Sequence, residues 1–192
     1  MNDSNIQDKP KIHHEILRKS EEIGFTMPSD VYIGTLLKTL VSSKPNGRFL
    51  ELGTGIGLSL SWMLAGMNEG SGLVSVDNDA ELIAIAEQYF GEDLRVDLVC
   101  ADGSEWIKQY SGDKFDLIFA DAWPGKYSEI DKTLELLKVG GFYVIDDMAA
   151  QSNWPKGHDK NVDGLVSYLE NRRDFNLTKL NWSTGLIIAV KR

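Results

Sequence analysis

The 192 residues, 42% hydrophobic and 26% charged, are enough for one domain with its own core and carry the ordinary balance of a soluble globular chain. A net charge of −9 leaves no basic surplus to displace counterions, which argues against nucleic acid or another polyphosphate as the main ligand. No apolar run approaches the ~20 residues that span a bilayer, the polar opening MNDSNIQDKPKIHHE has no signal-peptide core, and the single Cys100 excludes internal disulfides and a thiolate zinc cluster, so a cytoplasmic protein without a membrane partner is expected.

Residues 10–24 suggest a polar helix, on which His13 and His14 are expected to be exposed. In SDVYIGTLLKTLV, Ile33, Leu36, Leu37 and Leu40 recur at helical spacing, with Ser29 or Asp30 available as the N-cap. A strand then spans 48–52, and the run from Leu58 opens a helix. Further strands are expected at 72–76, 95–100, 115–120 and 141–146. Between them, DAELIAIAEQYF places Leu82, Ile85, Ala86 and Tyr89 on one helical face; KYSEIDKTLELLKVGG does the same with Tyr127, Ile130, Leu134 and Leu137, stopping at Gly140 and Gly141. Cys100 follows an apolar strand and reads as a small buried residue. After a helix carrying Val162, Leu165, Val166 and Leu169, FNLTKLNWSTGLIIAVKR gives two strands joined at Ser183, Thr184 and Gly185. Strict alternation of strand and helix implies an α/β fold, a doubly wound seven-stranded sheet that is mostly parallel, and the hairpin makes the last strand antiparallel. The whole chain, 1–192, is read as a single domain, with 1–45 as an N-terminal helical extension available for a homodimer contact.

The strands share a second feature. They end on or lead into acids: Glu51, Asp77, Asp102, Asp121, and the pair Asp146 and Asp147. In a parallel sheet these ends share one edge, where the ligand crevice of an open α/β fold forms. A single Asp there is ordinary capping; five strands in succession point to a ligand that tolerates carboxylates, a cationic molecule or a metal ion. The turn FLELGTGIGLSL spaces Gly53, Gly55 and Gly57 differently from a dinucleotide fingerprint, with Leu58 where the third glycine belongs. Glu51 just before it is poorly placed beside a pyrophosphate.

With these residues in place the sequence resembles the class I S-adenosylmethionine-dependent methyltransferases from about residue 27 onward. ELGTGIG resembles their first motif, VSVDND the second, CADGSEW the third and FDLIFADAWPGKY the fourth. The resemblance implies a Rossmann-like sheet with a reversed last strand and S-adenosyl-L-methionine as cofactor. It further implies that Gly53, Thr54, Gly55, Gly57 and Ser59 frame the methionine end and ribose. By the same resemblance Asp77, with Asn78, meets the ribose hydroxyls, and Asp102 with Gly103 meets the adenine. Glu51 acts on the methionine end directly or through water, where it offsets the positive charge of sulfonium and ammonium.

Within the class the sequence is most similar to small-molecule O-methyltransferases of the catechol and caffeoyl-coenzyme A type. That similarity implies that the N-terminal segment near Thr26 and Met27 touches the cofactor, and that a divalent ion such as magnesium is held by Asp121 and Asp146, with Asp147 standing where Asn is usual. The bland reading is that Asp146 caps a loop and Asp147 is solvated. Pro124 occupies the position of the subgroup's catalytic lysine, and Lys126 follows two residues on.

Methyl transfer needs a nucleophile about 3 Å from the sulfonium methyl in a site that excludes water. Candidate catalytic groups are Asp121 first, which the resemblance also implies as a cofactor contact, then Asp146 and Lys126. Tyr127 reads as a packing residue and His158 as part of a polar loop. Trp123, also a cofactor contact, and Trp154 form an aromatic wall for the acceptor or a cover for the cofactor. The stretch 148–161 is long for a strand-to-helix connection and reads as a lid. DAWPGKY lacks the Pro-Pro-aromatic turn that goes with amino-group methylation, which favours oxygen of a small-molecule acceptor. Two other readings remain: an NAD(P)-dependent oxidoreductase, and a non-catalytic homologue that binds the cofactor.

Overall fold

The computed structural model describes residues 2–151 and 154–192. Seven strands, β1 (Arg48–Leu52), β2 (Gly72–Asp77), β3 (Val96–Cys100), β4 (Phe115–Ala120), β5 (Leu137–Ile145), β6 (Phe175–Leu180) and β7 (Leu186–Lys191), form one sheet in the order β3-β2-β1-β4-β5-β7-β6. β1 to β5 pair in parallel, and β7 runs antiparallel between β5 and β6. This is the doubly wound, reversed-end sheet that the alternation predicts.

Because strand side chains alternate, the buried strands feed two cores, one on each face. Phe49, Leu73, Leu117, Phe119 and Val144 point to one face, while Leu50, Leu52, Val74, Ile118 and Tyr143 point to the other. The first face is covered by α1 (His13–Ile23), α2 (Val31–Ser42), α3 (Leu58–Gly66) and α4 (Ala80–Phe90). The second lies under α5 (Gly103–Gln109), α6 (Ile130–Glu135) and α7 (His158–Glu170).

The N-terminal helices are integral to the first layer. Every residue of α3 from Leu58 to Leu64 is buried, since the sheet covers one side and α2 the other, which is why it is apolar nearly all round. Gly34 of α2 permits this approach: a Cβ there would lie 2.4 Å from the Trp62 ring. Asp30, one of the two expected caps, accepts the Tyr32 amide at 2.8 Å and starts α2. α1 ends at Gly24, whose φ of 67° is left-handed.

Four expectations need correction. His13 is buried and not exposed; its ring meets Trp62 edge-on at 5.4 Å, and both ring nitrogens lack a partner. A polar helix gives no sign that another helix lies against that position. Cys100 is exposed, because β3 is an edge strand covered only in part. The helix expected to run to Gly140 stops at Glu135, and β5 begins at Leu137, paired with Phe115. The ladder then shifts so that Leu117 faces Phe142, with Gly140 at φ 76° in the irregularity. A short apolar run such as Leu134–Leu137 fits either period, so sequence alone extends the helix too far. Finally, the long loop after β5 ends before His158, which is the first residue of α7; residues 152 and 153 of that expected lid lie outside the described residues.

Two outcomes follow. Gly34→Val forces a branched side chain into the Trp62 ring and should lower stability by about 1–3 kcal/mol in urea titrations. Burial, with the charges of Lys9 and His14 behind it, pushes the His13 imidazole below its ordinary value of 6.5. The unfolded chain therefore binds the extra proton, and stability contributed here is complete above pH 6.5 and is lost as the pH falls below it. His13→Leu should accordingly reduce the loss of melting temperature between pH 7.5 and pH 5.5, read by circular dichroism.

Candidate functional site

β1 delivers Glu51 to the face that α3 covers, since Phe49, two residues before it, points there. Glu51 is completely buried, yet both oxygens are satisfied: Ser59 Oγ donates to Oε1 at 2.6 Å and Ser75 Oγ to Oε2 at 2.5 Å. Ser75 is Glu51's direct partner in the β1–β2 ladder. With its proton committed to Glu51, Ser75 accepts from Thr54 Oγ at 2.6 Å. Burial raises the Glu51 carboxyl to about 7, against the lowering effect of the two serines. Thus Glu51 is held within the fold beside the glycine turn, with both oxygens engaged by serines.

The turn is shaped by positive φ at Gly53 (103°), Gly55 (51°) and Gly57 (91°). A Cβ on Gly57 would lie 2.5 Å from the Phe90 ring, and one on Gly53 would lie 3.0 Å from the Asp121 carbonyl oxygen. The turn is also tied to β2, because Asp77 Oδ2 accepts the Gly55 amide at 2.8 Å and Oδ1 accepts the Asp79 amide at 3.0 Å. One carboxylate therefore fixes the first two strand-end turns against each other and keeps lone pairs for a ligand. Asn78 beside it is exposed. Asp102 is exposed and caps α5 through the Glu105 amide at 2.9 Å, while Gly103 lies against the Pro124 ring, where a Cβ would approach to 2.9 Å. Of the N-terminal segment, Phe25 comes near Gly55, and Met27 is 68% exposed.

After β4, the chain folds 121–128 into a compact loop. Gly125 adopts φ 81°, its amide donates to the Ser128 carbonyl at 2.8 Å, and the buried Tyr143 hydroxyl donates to the Gly125 carbonyl. That clamp turns Lys126 inward, where only 4% of it stays exposed and its Nζ donates to the Asp146 backbone carbonyl at 2.6 Å. Burial pulls the Lys126 ammonium below the ordinary lysine value, while the charges of Asp121, Asp147 and Asp146 act the other way. Burial, then the charges of Asp146 and Asp147, holds the half-buried Asp121 well above the ordinary carboxylate range. The Asp146 carboxyl is raised to about 6 by burial, and its Oδ1 accepts both the Thr184 hydroxyl and, at 2.7 Å, the Asp147 amide.

The implied divalent ion does not fit this donor set. Oδ1 of Asp146 is taken by two hydrogen-bond donors, its carbonyl is taken by Lys126, and Asp147 follows at a left-handed φ of 55°. Among the described residues, no three His, Cys, Asp or Glu side chains group so as to hold a metal. The charges of the expected ligands Asp121, Asp146 and Asp147 act on one another and on the buried Lys126.

Aromatic rings stand beside this cluster. Trp123, 53% exposed, lies 4.8 Å from Tyr127, and His158 approaches Trp154 at 4.8 Å and Tyr127 at 5.2 Å between ring centres. The Tyr127 hydroxyl and His158 Nε2 are 3.2 Å apart, and burial lifts the Tyr127 phenol to about 12. Trp123, Lys126, Tyr127, Ile130, Leu165 and Tyr168 contribute to a cavity of about 320 Å³. His158 is thus a member of the aromatic wall and not a loop residue. Sequence reading also missed Ser75, Tyr143 and Thr184. Ser75 had a signal, a hydroxyl inside an apolar strand beside Glu51; Tyr143 and Thr184 act across long separations and had none.

The O-methyltransferase family model matches residues 7–175. The chain belongs to that family. Among curated relatives provisionally named O-methyltransferases, one from Mycobacterium marinum is 30% identical over 140 residues, 69% of this chain and 62% of that protein. One from Mycobacterium leprae is 30% identical over 154 residues, 77% of this chain and 68% of the relative. The match therefore spans under two thirds of the M. marinum protein's length. Two solved structures share the fold of this O-methyltransferase-family chain. The O-methyltransferase from Bacillus cereus, in complex with SAH, has a TM-score of 0.83 at 20% identity over 98% of this chain and 94% of that one. TomG from Streptomyces achromogenes, in complex with SAM, has a TM-score of 0.84 at 19% identity over 98% and 92%.

Glu51 predicts a pH signature. Its carboxyl is raised to about 7, so between its ordinary value of 4.5 and 7 the folded state binds more protons and stability falls as pH rises. Above 7 the full cost of about 3 kcal/mol is present. Glu51→Gln, which keeps both serine partners by reversing one of them, should stabilise the ligand-free protein by up to about that amount at pH 8 and by little at pH 4.5. Urea titrations at the two pH values check this.

Proposed function

We propose that this chain is a methyltransferase that moves the methyl group of S-adenosylmethionine to an oxygen of a small-molecule acceptor. The observation that carries the reading is Glu51: a carboxylate fully buried beneath a glycine turn, with only hydroxyl donors for company. When ionised, above about pH 7 in the empty site, such a group raises the negative potential of the turn above it and favours a ligand bearing positive charge there. A pyrophosphate would meet repulsion. The sulfonium and ammonium of S-adenosylmethionine complement it.

In this reading Gly53, Thr54, Gly55, Gly57 and Ser59 frame the methionine end, and Met27 and Trp123 lie at its approach. Asp77, already oriented by the Gly55 and Asp79 amides, accepts the ribose hydroxyls, with Asn78 at its side. Asp102 and Gly103 meet the adenine. The acceptor lies against Trp123 and Tyr127, next to Asp121. The acceptor hydroxyl gives its proton to the Asp121 carboxylate, whose burial, and then crowding by Asp146 and Asp147, makes it a stronger base than an exposed aspartate. An oxygen lone pair forms the new C–O bond while the C–S bond breaks and its electron pair stays on sulfur. The products are the methyl ether and neutral S-adenosylhomocysteine.

Calorimetry should show saturable binding of S-adenosylhomocysteine and none of NAD; the reverse would move the chain to the oxidoreductase reading. Asp77→Ala should weaken that binding at least tenfold. With a phenolic panel, Asp121→Asn should lower kcat by about 10²-fold or more while leaving the KM for S-adenosylmethionine within a factor of three. Binding without any S-adenosylhomocysteine formation across the panel would leave a cofactor-binding protein that is not an enzyme.

A further inference from the structure

Lys126 is a buried cation whose one hydrogen bond, to a backbone carbonyl, does not account for its place beside the acids. A buried lysine costs free energy unless anionic partners hold it, and an unpartnered cluster of carboxylates costs more. Here each offsets part of the other's cost, although burial still holds the ammonium below and Asp121 above its ordinary value. The ammonium feels attraction from Asp121, Asp147 and Asp146 together. It is anchored at one point, the Asp146 carbonyl at 2.6 Å, which leaves two of its three N–H groups for other acceptors. Its backbone is not free to withdraw, since Gly125 on one side is clamped by Tyr143 and by the Ser128 carbonyl. A Cβ at Gly125 would lie 2.2 Å from Leu52, so the turn that aims Lys126 inward requires glycine in both space and φ.

The lysine also borders the cavity of about 320 Å³, beside Trp123 and Tyr127, with its Nζ 5.3 Å from the Tyr127 ring centre. It therefore stands between the acids and the aromatic wall. A divalent ion in such a site would balance the carboxylates and draw an acceptor oxygen toward itself. The tethered ammonium meets both needs with one charge: it offsets the acids on one side and presents N–H donors to a developing oxyanion on the other.

We propose that Lys126 is the resident cation of this site, so that the chain binds its acceptor oxygen and works without a divalent metal. This rests on the methyltransferase reading for its chemistry, but its charge balance can be tested apart from it. Titration of the wild-type protein with manganese chloride, followed by electron paramagnetic resonance, should show no saturable binding below 1 mM. Dialysis against EDTA should leave the melting temperature unchanged and alter the rate of S-adenosylhomocysteine formation less than twofold. Lys126→Ala removes the cation and exposes the carboxylates to each other. It should gain saturable manganese binding at least tenfold tighter than wild type, and melt lower in EDTA than in manganese. Lys126→Arg keeps the charge and should remain blind to manganese.

Saturable manganese binding by the wild type, or loss of its activity in EDTA, would overturn the proposal, as would a folded Lys126→Ala protein that ignores manganese. Should Lys126→Ala fail to fold, the wild-type titration and the EDTA comparison still decide. Failure of the methyltransferase reading would show separately, as absence of S-adenosylhomocysteine binding, whatever the manganese result.

Discussion

Carboxylates withdrawn from water must be repaid with donors or cations, and the carboxyl edge of this sheet is arranged around that requirement. Each acid finds a different answer. Glu51 takes two serine hydroxyls and no cation, so its proton affinity rises. Asp77 takes two backbone amides and welds neighbouring turns together. Asp146 takes a hydroxyl from the β6–β7 turn and the amide of its neighbour. Asp121 has only the charge of Lys126 acting against its burial and its acidic neighbours. The differences give the edge a gradient of character, from a cation-free carboxylate under the glycine turn to a lysine-balanced cluster beside the aromatic wall. A cationic donor suits the first end, and an acceptor oxygen suits the second.

That edge is rigid because the layers behind it are. α3 begins at the glycine turn and is enclosed by the sheet and α2, so Ser59 cannot swing away from Glu51. The reversed strand matters for the same reason. Only because β7 lies beside β5 does the turn at 183–185 come over the end of β5, where its carbonyls receive the Met148 and Ala149 amides and Thr184 reaches Asp146. Family membership and the shared fold agree with this frame.

Much of the fold was legible in the residues. Period-two and period-3.6 patterns fixed the strands and most helices, and the two runs around Ser183 announced the reversed end. Legibility ended where a pattern had no single period. The run from Leu134 to Leu137 suits a helix or a strand, and pairing with Phe115 chose the strand. Burial of His13 and exposure of Cys100 depend on what covers each element, and neither position carries that information in its neighbours.

For the site, the sequence by itself determined the charge of the edge and the shape of the turn. Acids at strand ends and glycines at positive φ are local facts, set by alternation along a strand and by the absence of a Cβ. Tertiary structure alone decided what each acid does. Whether a carboxylate binds a metal, caps a helix or meets a lysine depends on which donors reach it from elsewhere in the chain. Thr184, Tyr143 and Lys126 arrive from three different segments. Their convergence follows from strand order and from one clamped loop, and a linear pattern does not encode distance between segments.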